Sequence, residues 1–344
     1  MAERDYLYDN IKGILIILVV LCHLLGCAMV KSDTLVRAFV LFVYYFHMPL
    51  FIFISGYFSK NVDKCRGNAF RSLFMVYIVA QIFWVIFKYL TNGSTHYIEN
   101  FLDPGYAIWY IVALFFWRVF LKDLTKLKGA LIIAFLISPM IMFLPEEQMI
   151  LAINKTVGFL FFFLLGYYCN KDHIAKIRRI PWYVALLLLC LIFGATYLLL
   201  AKGILPYGGT KAIFMYTATM PDLAADFGSA WFGLLAYYGA MIVALICSAL
   251  AIAAVPGRKT VLAYVGGDTL PLYLSHTYFI ILLDMFFAAK TMSHGAEYAI
   301  VVGLSTALII LFSLPIYRKI FHAVYETIIG LIYPKSPKKK EITQ

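Results

Sequence analysis

Charge is scarce in this chain. Only 14% of its 344 residues are Asp, Glu, Lys or Arg, against about 25% in soluble domains. That leaves too little polar surface for a water-soluble enzyme, and there are too many apolar side chains for disorder. The glycine patterns GxxxxGK[ST], GxGxxG and GxSxG are missing, which argues against P-loop, dinucleotide-fold and hydrolase-type chemistry. Cysteine is sparse. Cys22, Cys27, Cys65, Cys169, Cys190 and Cys247 lie mostly inside apolar runs. None has the short spacing of metal ligands, so they read as small buried side chains and no metal is expected. No internal repeat is visible, so the inverted-repeat signature of many transporters is absent.

What fills the chain is apolar. Hydrophobic residues make up 63% of it, and its mean hydropathy is +0.86. Ten apolar stretches end at polar, Gly or Pro punctuation: 11–30, 36–58, 72–91, 106–121, 129–144, 156–170, 182–201, 231–255, 264–289 and 297–317. Lipid offers no partner to backbone N–H and C=O groups, so each stretch is expected to be helical. The reading is an all-α polytopic membrane protein with about ten transmembrane helices. Placing both termini in the cytoplasm puts twenty-one Lys and Arg residues inside and six, Lys155 and Lys211 among them, in outer segments, while Lys88 and Arg118 near span ends snorkel, as the positive-inside rule asks. This explains the net charge of +11 without nucleic acid. Residues 1–334 read as one integral-membrane domain and 335–344 as a basic cytoplasmic tail. Leu24-Leu25-Gly26-Cys27 resembles a lipoprotein cleavage box. However, Glu3, Arg4, Asp5 and Asp9 make a poor n-region, so the first span is expected to be retained. The segment 202–230, with Gly203, Pro206, Gly208, Gly209 and Pro221, is either a flexible outer loop or the wall of an outer vestibule.

Ionisable groups at membrane depth are costly and point to function. His23, His47 and His276 lie in three different spans at similar depths, and Pro49 is expected to kink the second span beside His47. Lys12 and His23 are eleven residues apart. Eleven steps of about 100° bring them to within about 20° of one helix face, with Asp9 nearby, so a polar stripe is expected from the cytoplasmic mouth to the membrane centre. Each histidine taken singly fits an interior side chain bonded to a neighbouring helix. Three at one depth favour a shared site. The basic segment Lys60, Lys64, Arg66 and Arg71 either contacts lipid headgroups or holds the phosphates of a nucleotide-like ligand.

Four ordered motifs carry a resemblance. Tyr8-Asp9-Asn10-Ile11-Lys12 through Leu21-Cys22-His23, then Phe46-His47-Met48-Pro49 through Ser55-Gly56-Tyr57, then Ala107-Ile108-Trp109-Tyr110-Ile111, and last Gly267-Asp268 through Tyr273-Leu274-Ser275-His276 resemble the integral membrane acyltransferases of family 3. More narrowly, they resemble the branch named for fucose 4-O-acetylase and related acetyltransferases. The resemblance implies a ten-helix O-acyltransferase moving an acyl group, acetyl first, from cytoplasmic acetyl-CoA to a hydroxyl of a sugar, polysaccharide or other envelope molecule. It implies His23 as the catalytic histidine, acting as general base or transient acyl carrier. It also implies a bacterial plasma membrane. Lys12 stands where many members have arginine. Many members also carry a glutamate just after the Trp109 position, and Val112, Ala113 and Leu114 offer none here. Asp9, Lys12, His47, Ser55, Trp109, Tyr110, Tyr273 and His276 are expected to support the site. Lys12, Lys60, Lys64, Arg66 and Arg71 are expected to contact the acyl-CoA. The partners expected are membrane lipids, acyl-CoA and a glycan acceptor, and no nucleic acid. The rival reading is a transporter or flippase using the histidines as a proton relay.

Overall fold

A computed structural model describes residues 5–26, 32–144, 150–288 and 292–333. The tail 335–344, Cys27, Lys31 and Lys290 lie outside them. Among the described residues every regular element is helical. The chain runs through α1 (Tyr6–Leu25), α2 (Thr34–Tyr57), α3 (Val62–Asn92), α4 (Trp109–Leu124), α5 (Ala130–Ile137), α6 (Ile153–Gly158), α7 (Leu160–Tyr168) and α8 (Lys171–Ile177). It continues through α9 (Trp182–Ala201), α10 (Tyr207–Met215), α11 (Met220–Phe227), α12 (Ala230–Ala254), α13 (Val261–Gly266), α14 (Leu270–Ala288), α15 (His294–Ser313) and α16 (Pro315–Ile332).

Among the described residues seven helices are long and apolar enough to cross a membrane, or eight if the bent pair α6–α7 is one span. Each of the ten apolar stretches is helical in large part, but three depart from a simple crossing. α4 has 16 residues, short of the roughly 20 a bilayer asks for. α5 passes into a tighter 3-10 turn, Ser138–Phe143, with Pro139 at its beginning. The pair α6–α7 bends by 53°, with Phe159 at the break. The second span, by contrast, runs through Pro49 as one continuous helix.

The helix starts follow from short polar side chains that accept the first free N–H groups. Asp5 takes Leu7 N at 3.1 Å, Asp33 takes Leu35 N at 2.7 Å and Asn61 takes Lys64 N at 3.1 Å. Several helix ends are closed by cations, which also suit the negative end of the helix dipole. Arg178 donates to the carbonyls of Ile252 and Val255 at 3.1 and 2.8 Å, closing α12. Arg318 does the same for Tyr264 and Val265 of α13.

α1 and α2 form the buried middle of the bundle, and α9 and α15 are its most exposed spans. α9 shows Leu187, Leu191 and Leu198 on its outside, as a helix facing lipid should. Two close crossings fix the centre. A Cβ on Gly266 would stand 1.9 Å from Asp9 O, and one on Gly13 would stand 2.1 Å from Leu262 O, so α1 and α13 touch backbone to backbone. Gly56 and Gly166 do the same for α2 and α7, where each added Cβ would meet a carbonyl at 1.9 Å. Asn10 locks the first crossing with bonds to the Pro256 and Arg258 carbonyls and from the Thr260 hydroxyl.

Candidate active site

Three helices bring the sequence's histidines together. His23 near the end of α1 and His276 in α14 face each other, with Nδ1 of His23 and Nε2 of His276 3.0 Å apart. The far nitrogen of His276, Nδ1, lies 3.0 Å from the Leu272 carbonyl one turn back. A carbonyl can only accept, so His276 Nδ1 carries a hydrogen. In a neutral ring its Nε2 is then an acceptor, and His23 Nδ1 must be the donor. The remaining nitrogen of His23, Nε2, therefore holds a lone pair. This tautomer is assigned from the partners, and it makes Nε2 the nitrogen of His23 able to accept a proton.

His23 lines a cavity of about 360 Å³ together with His47, Trp109 and Tyr273. His47 donates Nδ1–H to the Val43 carbonyl at 2.9 Å. Tyr44 packs edge-on against His47, with ring centroids 4.8 Å apart, and Tyr106 packs edge-on against His23 at 5.1 Å. Tyr106 takes a positive φ of 33°, a costly conformation for a side chain of this size. Its loop is pinned from below. The buried Gln81 donates to the Phe101 and Asp103 carbonyls at 3.1 and 2.7 Å and accepts from Gly105 N at 2.9 Å.

A second, largely apolar cavity of about 190 Å³ adjoins the first, sharing Met48 and Tyr273 with it. Tyr273 donates its hydroxyl to the Ala107 carbonyl. Tyr110 lines this second cavity and is bonded to Ser55 at 2.6 Å, which places Ser55 behind it. A third cavity of about 650 Å³ shares Ser72, Val76 and Leu270 with the second. It is the mouth, and Lys64, Arg71 and Arg118 stand in its wall with Glu326 and His322. Along α2 the three cavities touch His47, then Phe51, then Phe58 just past its end. From Met48 to Phe58 the helix rises about 15 Å.

The expected cation set divides. Lys64 and Arg71 reach the mouth. Arg71 also pairs with Glu326 at 2.9 Å and donates to the Tyr333 carbonyl. It rides on a π turn, Phe70–Phe74, a wide turn that often marks functional positions in helices. Arg66 points elsewhere and pairs with Asp123 at 3.3 Å. Lys60 caps the end of α7, donating to the Tyr167 carbonyl and to Cys169 O at 2.6 Å. Burial there holds its pKa below the usual lysine value. Lys12 pairs with Asp9 at 2.9 Å, and neither lines any of the three cavities. The stripe on α1 is thus divided between a local ion pair and His23.

Four site residues escaped the sequence. Arg118 read as a snorkelling residue at a span end and instead faces the mouth. Lys155 and Lys211 read as outer-loop charges, and Tyr106 carried no signal. Lys155 sits on α6 over the Trp109 ring at 5.2 Å. Lys211 sits on α10 over the rings of Tyr44 and Tyr207 at 5.3 and 6.0 Å. Both lysines line the histidine cavity, so part of segment 202–230 is a vestibule wall. Among the described residues no group of three or more His, Cys, Asp or Glu side chains is placed to hold a metal ion.

Residues 5–318 match the acyltransferase 3 family model, described as an acyltransferase domain. The chain belongs to that family. Among curated proteins it is similar to nodulation protein NolL of Sinorhizobium fredii, 30% identical over 146 residues that make up 37% of each chain. It is also similar to nodulation protein NolL of Mesorhizobium japonicum, 27% identical over 136 residues and 36% of each chain. The matched part thus spans little more than a third of these relatives. No solved structure matches the chain.

Proposed function

We propose that the protein is an acyl-CoA-dependent O-acyltransferase of a bacterial cell membrane, with acetyl-CoA as donor and a saccharide hydroxyl as acceptor. The observation that carries this reading is the His23–His276 contact in the wall of a cavity of ligand size. With both rings neutral, that contact leaves the lone pair of His23 on Nε2. The donor occupies the other two cavities. Its phosphates lie against Lys64, Arg71 and Arg118 at the mouth, and its pantetheine arm lies along α2 through the apolar passage. The thioester then rests at Met48 and Tyr273, the border shared with the histidine cavity.

His23 Nε2 takes the proton of the acceptor hydroxyl. The oxygen attacks the thioester carbonyl carbon, and the tetrahedral intermediate collapses with cleavage of the C–S bond. The proton returns from His23 to the departing sulfur, giving free CoA and an O-acyl product. His276 orients the ring and accepts from its Nδ1–H, the task a carboxylate performs in serine-protease triads. The family glutamate missing after Trp109 is therefore not needed for that task.

The test is release of CoA thiol from acetyl-CoA by nanodisc-held protein, with saccharides added in turn. Release that requires both an acceptor and His23 is expected. Near-normal release by folded His23→Ala protein refutes the assignment. Consumption of acyl-CoA also separates the enzyme from a transporter, which leaves the thioester intact.

A further inference from the structure

The two cavity lysines stand apart from the donor route. Lys211 lies over Tyr44, whereas the mouth cations gather near Phe58, about 21 Å of helix rise away along α2. The phosphates of a donor held at the mouth do not reach them. We propose that the half of the histidine cavity bounded by Lys155 and Lys211 is the acceptor subsite, and that the acceptor is an anionic saccharide carrying a carboxylate or phosphate beside the hydroxyl that is acylated. This rests on the acyl-transfer reading.

Charge sign is the first argument. Lys155 and Lys211 line the cavity, and among the described residues no carboxylate does. The second is the surface under the charges. The Trp109 and Tyr44 rings in the cavity wall lie under the two ammonium groups and hold them in place. A sugar bound beside these rings brings its anion to the cations that sit on them. Third, the subsite is built rather than incidental. Asn154, next to Lys155 and buried, donates to the Tyr216 carbonyl at 2.7 Å, tying α6 to the end of α10. Tyr216 itself holds a positive φ of 54°, and the break in the α6–α7 span falls at Phe159, in the cavity wall. Interrupted spans mark binding sites in other membrane proteins for the same reason: non-helical backbone is tolerated there only where it lines a cavity. Size is the last argument. About 360 Å³ lies at the small end of ligand cavities and suits a sugar ring.

The experiment compares D-glucuronate and glucose 6-phosphate with glucose in nanodisc-held protein. Binding is read first by thermal shift without donor, then as KM with acetyl-CoA. The expected result is at least tenfold tighter binding of one or both anionic sugars than of glucose, with the two anions separating carboxylate from phosphate. The ratio should fall towards one in the K155Q/K211Q double variant and persist in K155R/K211R, which also reports on folding. An absent preference in the wild type, no binding of any of the three, or a preference surviving K155Q/K211Q overturns the proposal. So does an equal loss on glucose and on the anions, which would mark the lysines as stabilisers of the reaction's oxyanion. Lysine-dependent anion binding without thiol release would keep the subsite and remove the acyl-transfer reading. Thiol release without anion preference would do the reverse.

Discussion

A hydrogen bond of 3.0 Å between two imidazoles defines what His23 is able to do. Ring nitrogens exchange roles easily in water, but here a backbone carbonyl decides for both rings. Removing His276 takes away the ring contact that orients the half-buried His23 and selects its tautomer. His276→Ala is therefore expected to lower kcat at least tenfold while leaving the KM for acetyl-CoA within about twofold, since His276 lines neither the mouth nor the passage. A rise in KM with normal kcat would show that His276 shapes the donor site instead. The cations give a second residue-scale test. Lys64→Gln and Arg118→Gln should raise the KM for acetyl-CoA several-fold, because each would remove one of the charge-assisted contacts proposed for the donor phosphates. Lys60→Gln should leave that KM unchanged and lower thermal stability, because its ammonium closes a helix end.

Helices supply the precision that the residues need. The crossings of α1 with α13 and of α2 with α7 are set by glycines, and helix association in lipid depends on such close approach. Gly166→Ala would push a Cβ to 1.9 Å from Phe53 O and separate the helix that carries His47 from its neighbour. The expected outcome is loss of monodisperse protein on size-exclusion chromatography. Gly239→Ala, where an added Cβ meets nothing within 4 Å, should be neutral or slightly stabilising. Equal behaviour of the two variants would contradict this packing.

The same scale shows why the sequence is readable only in part. His23, His47 and His276 were legible because a polar residue inside an apolar run reports its depth. Trp109, Tyr110, Tyr273 and Ser55 were legible through ordered motifs. Azimuth was not legible. The spans are apolar on every side, so periodicity does not say which face meets which neighbour. Lys60 and Arg66 accordingly read like Lys64, although one caps a helix and the other joins Asp123. The π turn under Arg71, the bend at Phe159 and the positive φ of Tyr106 arise from tertiary contacts and leave no local pattern. Lys155 and Lys211 looked like loop charges because the half-helix and the short helix that bear them return to the centre of the bundle.

Across the whole molecule, the arrangement is a passage with different chemistry at its two ends. A cationic mouth, closed on one side by α16, leads through an apolar neck to the histidine pair. A second set of cations on aromatic faces lies beyond it. Such a layout suits two substrates that approach from opposite sides and meet at one base. The positive-inside expectation assigns the mouth to the cytoplasmic side. The most direct measurement uses proteoliposomes of known orientation, with acetyl-CoA confined to the side of the mouth and the saccharide to the other side. The account predicts O-acetylated saccharide on the side opposite the donor, with free CoA thiol accumulating on the donor side, and neither product with His23→Ala. Product formed only when both substrates share one side, or formed equally by His23→Ala, would contradict it.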